Sequence, residues 1–153
     1  DYFLNAGGTG INIIPDRNWN LKDPEEKARK VAKLNEIISV ARDRRLPLNV
    51  GTEINSPSQP IVDHFDSPEL RPHVPAFLEG AQIVWGHSLL LRHGGFGYLS
   101  AQAEAAFGKD VKKKNEFFLE VGKHPVPHGA SLGRLHEAAR AADAKAVLRV
   151  LSQ

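Results

Sequence analysis

Cysteine and methionine are both absent from the 153-residue sequence. Without cysteine the chain has no disulfide framework, no thiol nucleophile and no thiolate metal site. It also lacks a signal-peptide pattern and any apolar run of about 18 residues, the length that spans a membrane. The excess of positive over negative charge is small too, since 20 basic and 18 acidic residues leave a net charge of +2. These absences predict a cytoplasmic protein with no membrane and no clear nucleic-acid partner.

Composition predicts an ordinary folded domain. Hydrophobic residues make up 41% of the chain and charged residues 25%, close to globular averages. The chain begins at Asp1 without an initiator methionine, and residues 1–6 are typical of a helix tail that Gly7 and Gly8 stop. We therefore expect a fragment whose N-terminal segment is missing.

Alternating strand and helix patterns predict the fold class. The apolar runs that predict strands are residues 11–14, 46–50 and 81–85. A helix after the first strand is marked by Asp23 as N-cap, Pro24 at the first helical position and Glu26 in a capping box. Spacing of about 30 residues between strands indicates parallel βα units. We predict an α/β fold, the C-terminal part of a TIM-like (β/α) barrel, with a small open α/β sheet as the alternative.

The last third of the chain is predicted to be helical. Ser100 and Asp110 are expected to cap two helices, and residues 131–151 are expected to form two more, split near Asp143. The predicted domains are a partial TIM-like α/β domain over residues 1–122, followed by a linker and a C-terminal helical pair over residues 123–153.

Polar side chains follow each predicted strand. They are Asp16, Arg17 and Asn18 after the first strand, Glu53 and Asn55 after the second, and His87 and Ser88 after the third. Sites in parallel α/β sheets form at the carboxyl ends of the strands, so we expect these groups to share one rim. An acid, a base and a histidine on one rim can bind a divalent metal or transfer protons.

Each candidate residue is given a specific role. Asp16, Arg17 and His87 are predicted to be catalytic, with Arg17 as a clamp on an anionic group. The predicted substrate contacts are Asn18, Asn55, His93 and Tyr98, the last two in a glycine-containing loop that could form a mobile lid.

Each of these residues also has a structural interpretation. Asp16 could cap a turn, Arg17 could form a surface ion pair, and Glu53 could bond a neighbouring loop. His87 could be a satisfied core histidine, and the loop at 93–98 could be a plain turn. Composition at Asp63, His64 and Asp66 suggests a metal cluster, although adjacent loop residues usually face different directions.

The segment 46–55, which contains Gly51-Thr52-Glu53-Ile54, resembles the polymerase-and-histidinol-phosphatase (PHP) superfamily, and residues 83–87 look like a later strand of the same kind. Amidohydrolase-like barrels share this layout. The resemblance implies a distorted TIM-like barrel, metal-dependent phosphoester hydrolysis, and Glu53 and His87 as ligands of a divalent ion such as Zn, Mn or Mg.

Two functions are therefore expected. The first is a metal-dependent hydrolase-like barrel enzyme that acts on phosphoesters or other anionic small molecules. The alternative is a non-catalytic barrel relative or a partner-binding scaffold. In that case the basic helix at 111–121, with Lys112 to Lys114 before Phe117, would dock a partner together with the C-terminal helices.

Overall fold

The structure is a computed structural model that describes residues 2–55, 57 and 59–153. Helices dominate these residues, and β structure within them is confined to two strands of three residues each. The chain forms two compact units, Asp1–Glu79 and Gly80–Gln153. The predicted division into residues 1–122 and 123–153 stays a prediction.

The first unit contains a small parallel sheet and several helices. Its elements in chain order are α1 (Tyr2–Asn5), β1 (Ile11–Ile13), α2 (Asp16–Trp19), α3 (Pro24–Asp43), β2 (Leu48–Val50), a 3₁₀ turn (Arg71–His73) and the start of α4 (Val74–Gly94). Strand β1 pairs with β2 in the register Ile11↔Leu48, Asn12↔Asn49 and Ile13↔Val50. The two strands predicted at 11–14 and 46–50 are confirmed, and they are shorter than expected.

Helix α3 begins at its predicted capping signal. The Oδ1 atom of Asp23 accepts a hydrogen bond from the backbone N–H of Glu26 at 2.7 Å, and Pro24 occupies the first turn. Apolar side chains spaced three or four residues apart then bury one face of the helix. The core of the unit is formed by Ile13, Leu34, Ile38, Ala41, Leu48, Leu70 and Phe77.

The second unit is built from helices. They are the remainder of α4, then α5 (Ala101–Phe107), α6 (Val111–Gly122), α7 (Gly129–Arg140) and α8 (Ala144–Leu151). Ser100, Asp110 and Asp143 each accept a hydrogen bond from a backbone N–H three residues later, at 3.2, 3.0 and 2.9 Å. The predicted caps of α5 and α6 and the predicted split near Asp143 are confirmed.

Phenylalanine rings fill the centre of the second unit. Phe96 is fully buried, and its ring stacks on Phe117 at a centroid distance of 5.3 Å and meets the edge of Phe118 at 6.1 Å. Helices α7 and α8 complete the core with Leu135 and Val147, both fully buried. Burying such large apolar side chains is the main stabilising contribution to a helical unit of this size.

The third predicted strand, residues 81–85, is wrong, because these residues lie within α4. Burial in this region recurs at Ile83, Gly86 and Leu90, which is the spacing of a helix face. A short continuous apolar run is compatible with a covered strand and with a buried helix segment, so the run itself could not separate them. Gly80 is likewise a buried position inside α4.

The predicted fold class, part of a TIM-like barrel of parallel βα units, is therefore wrong. In the described part of the chain the sheet consists of β1 and β2 alone, whereas a barrel closes eight strands. With residues 81–85 in a helix, no third strand extends the sheet within the described residues. Among the described residues, no helix has both the length and the apolar character needed to cross a membrane.

Helix α4 approaches α6 so closely that both helices carry glycine at the contact. A Cβ atom on Gly86 would lie 2.1 Å from the backbone carbonyl oxygen of Phe118, and one on Gly122 would lie 1.8 Å from that of Gln82. Both obstacles are backbone atoms, so no side-chain rotation could relieve the overlap. These two positions therefore determine how near the two helix backbones can come.

We expect Gly122→Ala to lower the free energy of unfolding by about 3 kcal/mol, because the added methyl group would overpack against α4. Gly133→Ala in α7 is the matched control, since a Cβ there meets open space. That change should raise the free energy of unfolding by about 1 kcal/mol through helix propensity. Urea unfolding followed by circular dichroism measures both, and wild-type stability of Gly122→Ala would contradict the close contact.

Candidate functional site

Parallel pairing brings together two of the predicted site residues. Arg17, in the short helix after β1, donates from Nη2 to Oε2 of Glu53, in the loop after β2, at 2.9 Å. The carboxyl ends of parallel strands lie at one edge of a sheet, which explains this contact between segments far apart in sequence. The side chains of the pair are 47% and 46% exposed, so it faces solvent.

Glu53 is held in its ionised form. A hydrogen bond from the Asn55 side chain is the main cause of its lowered pKa, and the charge and hydrogen bond of Arg17 add to it. Because solvent screens an exposed pair, its contribution to folding stability is small. Its structural effect is to hold the Arg17 guanidinium in one place at the edge of the sheet.

A cleft of about 370 Å³ lies beside Arg17, and we call it the strand-end cleft. Its lining residues are Asp16, Arg17, Asn20, Leu21, Lys30 and Gln59. Asn20 donates from Nδ2 to Oδ1 of Asp16 at 2.8 Å, which orders one wall. The volume lies within the range of small-molecule sites, and the lining combines two cations, one carboxylate and two amides.

A partly buried hydrogen bond joins the same two segments on which Arg17 and Glu53 lie. Trp19, at the end of α2, donates from Nε1 to Oδ1 of Asp63 at 2.8 Å, and its ring stacks on His64 at 5.9 Å. Asp63 is only 4% exposed, and its Oδ2 atom has no hydrogen-bond partner among the described residues. Burial is the main cause of its raised pKa, and the charge of Asp16 adds to it.

The two predicted asparagine contacts have structural partners. Asn18 donates from Nδ2 to the backbone carbonyl of Lys30 at 3.1 Å, which ties α2 to α3. The backbone N–H of Asn55 bonds Oε1 of Gln59 within the loop after β2. Their predicted substrate-binding roles stay predictions.

His87 lies on α4 in the second unit, and its expected place at the end of a strand is wrong. Its Nδ1 atom accepts a hydrogen bond from the backbone N–H of Tyr98 at 2.9 Å. The ring also lies against Gly97, where a Cβ would be 3.0 Å from Cε1. His87 therefore fixes the turn after α4, and its predicted catalytic and metal-binding roles stay predictions.

The predicted loop contacts His93 and Tyr98 are also in the second unit and are packed. His93 lies against His136, with Nδ1 and Nε2 2.9 Å apart and the two rings stacked. Tyr98 is buried, its hydroxyl bonds Oδ1 of Asn115 at 2.5 Å, and Lys114 lies 5.1 Å from the ring centroid. Roles in substrate binding stay predictions for both residues.

The donor groups do not fit the divalent metal that the family resemblance implies. No cluster of three or more His, Asp and Glu side chains suited to a metal occurs in residues 2–55, 57 and 59–153. The Oε2 atom of Glu53 is bonded to a guanidinium, whose positive charge opposes a second cation there. Nδ1 of His87 is likewise engaged by Tyr98. The ligand roles of Glu53 and His87 stay predictions that this geometry does not support.

The predicted site residues did not include four of the six residues that line the strand-end cleft, which are Asn20, Leu21, Lys30 and Gln59, or Trp19, which bonds Asp63. Lys30 is one of many charged residues along α3, and Gln59 lies in a polar loop, so neither had a distinguishing pattern. Trp19 did offer a signal, since a tryptophan three residues after Asp16 calls for a buried partner for its ring N–H. The buried carboxyl group of Asp63 supplies that partner.

Comparisons of the chain with protein-family models, curated proteins and solved structures find no match. The resemblance to the PHP superfamily, which is carried by residues 46–55 and 83–87, stays a prediction. Function is therefore inferred from the geometry of the strand-end cleft.

We expect His87→Ala to lower the free energy of unfolding by roughly 1–3 kcal/mol, because the buried N–H of Tyr98 loses its acceptor. His87→Asn should recover most of that stability, since its side-chain oxygen can replace Nδ1. Urea unfolding of the two variants measures the difference. Wild-type stability of His87→Ala would show that the hydrogen bond is unimportant to the fold.

Acid should weaken the second unit through His93. Burial, His136 and Arg92 lower the pKa of His93 from its ordinary value of 6.5. The unfolded chain therefore takes up a proton more readily, and the free energy of unfolding falls as pH falls below 6.5. Denaturant midpoints across this window should show the slope, and His93→Gln should reduce it.

Proposed function

We propose that the first unit binds the anionic group of a small molecule in the strand-end cleft, with Arg17 as the residue that recognises it. The observation that carries this proposal is the exposed bond between Arg17 and Glu53 at the cleft. The carboxylate of Glu53 accepts a hydrogen bond from the Arg17 guanidinium, as a ligand carboxylate or phosphate would. An incoming anion can take its place because the pair is solvated and contributes little to folding.

The chemistry of the cations supports an anionic ligand. A guanidinium has five N–H donors in a planar fork, and Glu53 takes one bond from Nη2. Carboxylate and phosphate oxygens match that fork in a two-bond geometry. Lys30 lines the same cleft, and its ammonium has no ion-pair partner among the residues that the structure describes.

The remaining cleft residues would orient the ligand. Asn20 and Gln59 carry amides that can donate and accept hydrogen bonds. Asp16 adds a carboxylate, which would repel a second anionic group and accept a bond from a hydroxyl or amine. The ligand class supported best is a small molecule with one anionic group and a neighbouring hydroxyl or amine.

The other expected functions have less support. The hydrolase interpretation depended on a TIM-like barrel, and that fold is wrong. The basic run of α6 has local partners: Lys112 pairs with Glu116 at 3.7 Å, and Lys113 with Asp110 at 3.3 Å. Lys114 lies over the Tyr98 ring. Partner docking through this helix therefore gains no support from its charges.

Arg17→Ala should weaken anion binding by about 10- to 100-fold, because charge-assisted hydrogen bonds of this kind are worth roughly 1.5–3 kcal/mol. Calorimetric titration with sulfate, phosphate and small hydroxy acids measures the affinity. Glu53→Gln should tighten binding, since the competing carboxylate is removed.

Arg29→Ala is the control for this titration, because Arg29 is an exposed residue of α3 outside the cleft lining. Its affinity should match that of the wild type. Equal affinity in wild type and Arg17→Ala, or no saturable binding of any tested anion, would reject the proposal.

A further inference from the structure

Two side-chain hydrogen bonds join α2 to the loop after β2, and they differ in environment. The bond from Arg17 to Glu53 is exposed, whereas the bond from Trp19 to Asp63 is partly buried. Both run from α2, which supplies one wall, to the loop after β2, which supplies Gln59 to the other. If an anion displaces Glu53 from Arg17, the bond from Trp19 to Asp63 still joins the loop to α2.

The bond from Trp19 to Asp63 uses only one of the two carboxyl oxygens of Asp63. Oδ1 of Asp63 accepts from Trp19, and Oδ2 has no partner in the described part of the chain. An ionised carboxylate buried in this way keeps one oxygen that nothing solvates, which is a costly state. A protonated carboxyl group still offers Oδ1 to Trp19 and buries no charge.

We infer that Asp63 is the positioning residue of the strand-end cleft, and that its protonated form holds the loop carrying Glu53 and Gln59 against α2. This inference rests on the function proposed above. It adds a proton-dependent control of anion affinity that the cleft residues alone would not have.

The charged groups around Asp63 act in opposite directions. Asp16, from α2, raises its pKa as burial does, whereas the Trp19 hydrogen bond and His64, from its own loop, lower it. The net shift is upward from 3.8, so folding favours the protonated form. The stabilisation that protonated Asp63 contributes is present below pH 3.8. It is lost as the pH rises through the higher pKa that Asp63 has in the folded protein. Anion affinity should likewise fall as the pH rises.

The first test follows the Trp19 indole N–H by NMR and needs no ligand. Trp85→Phe leaves Trp19 as the only indole, because the sequence has 2 tryptophans. We expect this resonance to shift as pH rises from about 4 to about 8, and Asp63→Asn to abolish the shift, since the amide keeps an acceptor oxygen and does not ionise. A resonance that does not move, or that moves equally in Asp63→Asn, would overturn the inference.

The second test measures sulfate affinity, because sulfate does not titrate in this range. Wild-type protein should lose about tenfold in affinity as pH rises, and Asp63→Asn should lose none. The same pH dependence in both proteins would overturn the positioning role and leave the proposed function intact. An indole that titrates as expected in a protein that never binds sulfate would instead reject the anion cleft.

Discussion

Parallel pairing of β1 with β2 decides which side chains of the first unit can meet. The register from Ile11 and Leu48 to Ile13 and Val50 ends both strands at one edge. The chain leaves each strand there, so Arg17 and Glu53 come within 2.9 Å although 36 residues separate them in sequence. Two strands of three residues are thus sufficient to define a site edge, provided that a helix such as α3 covers them and supplies the core.

The two units use their polar groups differently. In the first unit, several polar groups line a cleft. In the second unit, the two histidines that were predicted as site residues contact neighbouring residues. His87 accepts a hydrogen bond from the backbone N–H of Tyr98, and His93 lies against His136. Chemistry with a ligand is therefore better supported in the first unit, and the polar groups of the second serve its own packing.

Local signals in the sequence were sufficient to predict where helices start. The polar residues after the two real strands also placed Arg17 and Glu53 at one edge of the sheet. Asp23, Ser100 and Asp110 cap helices because capping depends on a few neighbouring residues. The prediction of a strand at 81–85 was wrong because an uninterrupted apolar run can form either a strand or a helix. The surrounding elements that pack against the run decide which of the two forms. Gly86 in that region meets the backbone at Phe118, a distant contact with no local pattern. The bond from Trp19 to Asp63 likewise spans 44 residues and could not be found from spacing.

The glycine contact between α4 and α6 has a consequence for solvent access. Where Gly86 and Gly122 let the two backbones touch, the carbonyl groups of Gln82 and Phe118 leave no room for water between the helices. Amide hydrogens along this seam can exchange with deuterium only after the helices separate, whereas those at a frayed helix end exchange without it. Slow deuterium uptake there would thus report concerted opening of the second unit.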